Sequence, residues 1–383
     1  MSDREAVEHA YVHVPFCATI CPFCNFHVVQ RRSGAVEAYL DRLDREAAAA
    51  VERVGGVDLR TLYVGGGTPS HLREAELGRL WAILERRLGR PSEEATLEVH
   101  PSNVVPGRPG RWRDLGFTRL SVGVESTDDA VLTALGRHHD GASALAALEQ
   151  CLASQRPGSD ATSADVMTAI DGQDVGRDLE VVAATGVAHV SCYVLTIEEG
   201  TPFDRDGVEV DPDAEWEALL AADEVLLAAG LARYEVSNHA RPGAECRHNL
   251  AYWDNRCWLG LGPGASAHEP APPGSNAVTI RSVNPPLDDW LAGAPPEIEP
   301  RIPQGFAVDA MVAGLRRLDG VDLDDVGRRA GLDAAALFDE AIGSTTSSGL
   351  VELDGPRLRA TAKGLRYLDQ VAGSFVELEA GAR

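Results

Sequence analysis

The chain has 383 residues, 44% of them apolar and 25% charged, with a formal net charge of −24. This length predicts two domains, or one large barrel with an appendage, and the apolar share is enough for a substantial core. The acidic balance argues against a phosphate-tracking protein, which would carry a basic footprint, so no nucleic-acid partner is expected. Lys363 is the single lysine, so Schiff-base chemistry has one candidate, near the C-terminus. The first residues, "MSDREAVEHA", are charged and lack the apolar stretch of a signal peptide. No apolar run approaches the ~20 residues of a membrane helix, and no membrane partner is expected. Of seven cysteines, four (Cys151, Cys192, Cys246, Cys257) are scattered. That is no disulfide framework, and it predicts a cytoplasmic protein.

In chain order, short β-rich runs alternate with helical periodicity. "EHAYVHVPF" predicts a strand, "SGAVEAYLDRLDREAAAAVERV" a helix and "LRTLYVGGG" a strand running into glycines. "REAELGRLWAILERRL" predicts a helix, "EATLEVH" a strand, "RWRDLGF" a helix end and "TRLSVGVES" a strand. Helices follow in "DDAVLTALGR" and "GASALAALEQCLA", then strand "ATSADVMTAI", helix "VGRDLEVVAATG" and strand "AHVSCYVLT". "AEWEALLAADEVLLAAGL" is a long helix, and "ARYEVSN" closes the series. Six to seven such units predict an α/β fold, a partial (β/α)6 TIM-like barrel over 1–268. Residues 269–304, rich in Pro and Gly, predict a connector. Residues 305–383 predict a small C-terminal helical domain of winged-helix type, with a short hairpin.

Functional residues of such barrels lie on the loops after the strands. After the first strand comes "CATICPFC", with Cys17, Cys21 and Cys24 spaced C-x3-C-x2-C. Zinc would need a further ligand, for which His13 and His27 are the nearest candidates. Three thiolates suit a [4Fe–4S] cluster better, with one iron left open. "YVGGGTP" (Tyr63–Pro69) ends the second strand, where glycines let backbone groups approach a ligand; a plain tight turn is the alternative. Arg247, His248 and Asn249, with Gly260 to Gly264, predict a polar rim, or else a helix entry and a glycine-rich strand end.

This cysteine spacing after a first barrel strand resembles the radical S-adenosylmethionine (SAM) superfamily. The stretch "YEVSNHARPGAECRHNLAYWDNRCWLGLGPGASAH" narrows the resemblance to the oxygen-independent coproporphyrinogen III oxidase-like family. Arg119, "LGRHH", "TIEEGTPF" and the C-terminal domain match as well, so nearly the whole chain is covered. The resemblance implies that SAM chelates the open iron and is cleaved reductively to a 5′-deoxyadenosyl radical. A reductant such as flavodoxin or ferredoxin is then a partner. It also implies cofactor contacts by Tyr11, Phe26, Gly66, Gly67, Thr68, Glu98, Glu125, Arg137 and Asp165. Among these, Tyr11 flanks the adenosyl group, Arg137 neutralises the SAM carboxylate and Asp165 holds ribose hydroxyls. Tyr11 and Glu125 are the catalytic candidates.

Departures from the family's pattern bear on the substrate. Asn25 and Phe26 follow Cys24, so the fourth cysteine of a true oxidase is missing and porphyrinogen decarboxylation is disfavoured. The family usually has Gln where Glu125 stands. Residues 168–171, Thr-Ala-Ile-Asp, replace its Tyr-Gly-Leu-Pro. These changes favour a radical enzyme acting on a small molecule, a two-SAM methylase or cyclopropanase in which one SAM makes the radical and a second supplies the carbon. The alternative is a chaperone that binds heme and passes it on.

Overall fold

The computed structural model describes residues 5–380. Strand β1 (His9–Val14) alternates cleanly: Ala10, Val12 and Val14 are fully buried. They join one core cluster with Tyr39, Leu43 and Ala47 of helix α1 (Ala35–Val54). Tyr11 and His13 face the opposite way, as the two-residue period of a strand requires. Helix α1 stops at Gly55, whose left-handed φ of 83° turns its N–H back onto the carbonyls of Val51 and Glu52.

The same unit repeats along the chain. Strand β2 (Thr61–Gly66) leads to α2 (Glu74–Leu88), β3 (Glu94–Val99) to α3 (Arg108–Leu115), and β4 (Arg119–Glu125) to α4 (Asp129–Ala134) and α5 (Gly141–Ala153). Strand β5 (Ala161–Thr168) leads to α6 (Val175–Ala184), and β6 (His189–Val194) to α7 (Pro202–Arg205) and α8 (Pro212–Ala228). Strands β1 to β6 pair in parallel with their sequence neighbours. Parallel pairing needs these helical crossovers and places all six strand ends on one side.

Both edges depart from the expected ending. "ARYEVSN" contributes a short antiparallel pair, β7 (Ala232–Arg233) and β8 (Asn238–Ala240), beside β6. Beyond α9 (Arg247–Trp253), β9 (Trp258–Leu261) runs parallel to β1 on its other side. Residues 269–304 are not merely a connector. Strand β10 (Ser266–Pro270) enters the segment, and β11 (Thr279–Val283), α10 (Leu287–Ala292) and β12 (Glu297–Arg301) lie inside it. The result is a twelve-stranded sheet ordered β12-β11-β10-β9-β1-β2-β3-β4-β5-β6-β8-β7. Pro300 is tolerated because β12 is an edge strand. The sheet is therefore a partial barrel with open edges.

The C-terminal part has its own core around Phe306, Met311, Phe338 and Phe375. It contains α11 (Pro303–Gly314), α12 (Leu323–Ala330), α13 (Ala334–Leu337), α14 (Asp339–Ser347), α15 (Ala362–Arg366) and α16 (Leu368–Ala380). A three-stranded sheet, β13 (Val321–Asp322), β14 (Val351–Asp354) and β15 (Arg357–Ala360), supplies the wing. Arg329 ties it to the barrel through Glu5 and the carbonyls of Asp254 and Asn255. Among the described residues, no helix is long and apolar enough to cross a membrane.

Candidate functional site

A cavity of about 680 Å³ opens over the C-terminal ends of β2 to β6, roofed by the cysteine loop. The loop is pinned at its base. Phe16–Cys17 pairs in parallel with Val29–Gln30, and the Arg31 N–H reaches the Cys17 carbonyl at 3.3 Å. Within it, the Cys24 N–H closes a turn onto the Cys21 carbonyl at 3.1 Å. All three cysteines line the cavity. Cys17 is buried, and burial, partly offset by the Thr68 hydroxyl at 3.6 Å, pushes its thiol up to about 11. Burial also raises Cys21 and Cys24.

The glycine run works by omission. A Cβ on Gly65 would lie 2.7 Å from the Glu98 carboxyl, and one on Gly67 2.9 Å from the Val14 carbonyl. Gly66 has φ 103°, and a side chain there would strike the His13 ring. In return, the Gly66 N–H donates to Glu98 Oε2 at 2.9 Å while Tyr63 donates to Oε1 at 2.9 Å. Across the cavity, Ser121 donates to both oxygens of Asp165, at 2.9 and 3.0 Å. Glu125 ends β4 beyond a bulge and pairs with Arg137. Arg137 stands 5.8 Å over the Phe23 ring. Burial lowers its pKa, but Glu125 and Cys21 outweigh this and hold it above the ordinary value.

The structure thus brings Cys17, Cys21, Cys24, Phe26, Gly66, Gly67, Thr68, Glu98, Glu125, Arg137 and Asp165 to one cavity. Tyr11 is not in its lining. The Tyr11 hydroxyl meets His13 Nδ1 at 3.0 Å, and its ring lies 6.1 Å from that of Tyr63, which does line the cavity. None of Arg247, His248, Asn249 and Gly260 to Gly264 lines the cavity, and the alternative holds: Arg247 to Asn249 open α9, with His248 fully buried between Thr61 and Tyr252. At Gly260 a Cβ would collide with the Ser266 carbonyl, so that glycine serves strand approach. Met167 and Tyr193 also line the cavity and were not singled out. Their placement at strand ends was the available signal.

Burial pushes the carboxyls of Glu98 and Asp165 up to about 7. Glu125 raises both further, whereas their hydrogen bonds lower them. A folded value above the unfolded one means the folded state holds the proton more tightly. The stability this confers is full below the ordinary carboxylate range and is lost as pH rises through about 7. A Glu98→Gln/Asp165→Asn chain should therefore gain stability relative to the parent between about pH 5 and pH 8. Urea midpoints of the cluster-free proteins measure this, and a difference flat across that range contradicts it.

The thiolate loop, the glycine-lined strand end and the partial barrel together define a cluster-binding barrel of the radical SAM class. Residues 11–183 match the Radical SAM superfamily, and residues 304–367 match the HemN C-terminal domain. The heme chaperone HemW of Mycobacterium tuberculosis is 33% identical, over 96% of this chain and 94% of that protein. The mitochondrial radical SAM domain-containing protein 1 of Bos taurus is 34% identical, over 73% and 65% respectively. The solved coproporphyrinogen III oxidase HemN of Escherichia coli, described as a radical SAM enzyme, superposes with a TM-score of 0.79. That likeness covers 97% of this chain and 90% of HemN at 20% identity, and it speaks to fold. The chain belongs to the radical SAM superfamily, in its HemN-like, coproporphyrinogen III oxidase-like family.

Membership implies a [4Fe–4S] cluster and SAM, and the donors fit. Three thiols face one cavity, while His13 is engaged at both nitrogens, by Tyr11 and by the His27 carbonyl at 3.1 Å. Among the described residues, no three His, Cys, Asp or Glu side chains gather around a single metal ion, as zinc would require. A cubane instead takes its thiolates on separate irons. When bound, the cluster would supply an electron and an open iron. This chain's own residues supply one guanidinium and the carboxyls of Glu98, Glu125, Asp165 and Glu198 around the same space.

Proposed function

We propose that the chain holds a [4Fe–4S] cluster on Cys17, Cys21 and Cys24, binds SAM in the adjoining cavity, and serves as a heme chaperone. The observation that carries the chaperone reading is near full-length similarity to proteins named heme chaperone HemW, 33% over 96% of the chain. The surface beside the cluster site suits an apolar, planar ligand. Phe26 is 61% exposed and Ile20 42% exposed on the cysteine loop, and large exposed apolar side chains grouped at a cavity mouth mark binding sites. Nothing in the comparisons supports the methylase or cyclopropanase reading that Glu125 and the altered loop 168–171 favoured.

The test is a heme titration of the anaerobic, cluster-loaded chain, followed by SAM and dithionite. A saturable shift of the heme absorbance band at one heme per chain, with heme passed on to an apo-acceptor protein, is the expected result. Transfer of label from methyl-labelled SAM to a small molecule, without heme binding, would overturn it in favour of methyl transfer.

A further inference from the structure

Glu125 is placed against conformational preference. Its φ of 65° lies in the left-handed region that side-chain-bearing residues avoid. The strain is produced by a bulge: Gly123 faces Asp165 and Glu125 faces Val166, leaving Val124 unpaired. The bulge turns the carboxyl of Glu125 into the cavity, where it is only 7% exposed, onto Arg137. Gly123 leaves room for the pair, since a Cβ there would lie 2.9 Å from Glu125 Oε1. On the other side, Gly136 (φ 68°) abuts Pro22 of the cysteine loop, fixing the turn that carries Arg137. The Arg137 Nε is buried with no acceptor among the described residues. Strain of this kind persists where surrounding structure enforces it, and it points to function.

We propose that Glu125 is a specificity-determining residue: an internal carboxylate that occupies Arg137 and that a ligand's own carboxylate must displace or share. Among the described residues Arg137 is the sole Arg or Lys side chain lining the ligand space, alongside the carboxyls of Glu98, Glu125 and Asp165 and the exposed Glu198. A ligand carboxylate arriving there meets a guanidinium already claimed and like charge beside it. A cationic group on the same ligand meets the opposite field. Glu125 thus penalises the carboxylate end of SAM while leaving its sulfonium favoured. The inference rests on SAM binding in this cavity.

The experiment compares SAM with decarboxylated SAM, which keeps the sulfonium and the amine and lacks the carboxylate. Dissociation constants are measured by calorimetry on cluster-loaded parent and Glu125→Gln chains of equal iron content. Removing the charge while keeping the shape should tighten SAM on the order of tenfold and leave decarboxylated SAM unchanged or weaker. SAM affinity that is unchanged or weaker in Glu125→Gln, or an equal shift for both ligands, overturns the inference. A cluster-loaded parent that binds neither ligand instead refutes SAM binding in the cavity, and the inference falls with it.

Discussion

Replacing Arg119 by alanine should destabilise the chain by about 3–5 kcal/mol, the usual result of removing one partner from a buried ion pair. Arg119 opens β4 at the end of the barrel away from the cavity. Its Nε donates to Glu94 at 2.8 Å, Nη1 to Ser163 at 2.9 Å, and Nη2 to the carbonyls of Ala244 and Glu245 at 2.8 and 3.0 Å. One guanidinium therefore joins β3, β4, β5 and the loop entering α9. Glu94 in turn accepts from the Cys246 thiol at 3.4 Å and from the His248 N–H at 3.2 Å. Burial opposes the charge of Arg119, but Glu94 outweighs burial and keeps its pKa above the ordinary arginine value. Alanine leaves Glu94 buried and unneutralised, with two carbonyls short of a donor. A double Arg119→Met/Glu94→Gln chain should recover part of the loss, because no lone charge remains. Urea denaturation of the cluster-free chains reads both effects. A loss below about 1 kcal/mol in Arg119→Ala would mean that water replaces the guanidinium in the floor of the barrel.

The contrast between Arg119 and the edges of the sheet explains what was legible in the sequence. Strands β1 to β6 announce themselves because buried parallel strands need apolar residues and their crossovers need amphipathic helices. The cavity residues were legible for a related reason, since they follow strand ends in order. The outer strands gave no such signal: β12 reads Glu-Ile-Glu-Pro-Arg and is mostly exposed, so it has no apolar alternation, and its proline suggested a connector. Tyr11 stands just behind the cavity lining, against Tyr63. The two-residue strand period sets which face it takes, but the depth of a side chain below the strand end depends on barrel tilt and on the contact its hydroxyl makes with His13, which residue spacing alone does not fix. Glu125 was noticed as an unusual residue. Its meaning needed the bulge and Arg137, twelve residues on, which only the fold brings together.

Single Cys17→Ala, Cys21→Ala and Cys24→Ala replacements should each abolish stable cluster loading, whereas Cys151→Ala should keep it. Cys151 is fully buried in the core on α5, away from the cavity, and its burial pushes its thiol up to about 12. The cavity thiols differ in having Arg137 beside them, which lowers each of the three against the dominant effect of burial. With Cys17 near 11, that thiol is protonated at neutral pH in the cluster-free chain, so loading must expel protons and should be favoured by alkaline pH. The loop carries no fourth cysteine as a spare donor, since Asn25 and Phe26 follow Cys24, and His13 is engaged at both nitrogens. Loss of one thiolate therefore leaves two protein ligands and two open irons, a cluster exposed to solvent and chelators. Iron content and the broad brown absorbance after anaerobic reconstitution are the measurements. Four irons per chain in the parent and in Cys151→Ala, with loss in the three loop variants, is the expected pattern. Full iron in Cys21→Ala would show that the open position lies elsewhere, and the cavity could not then present it to SAM.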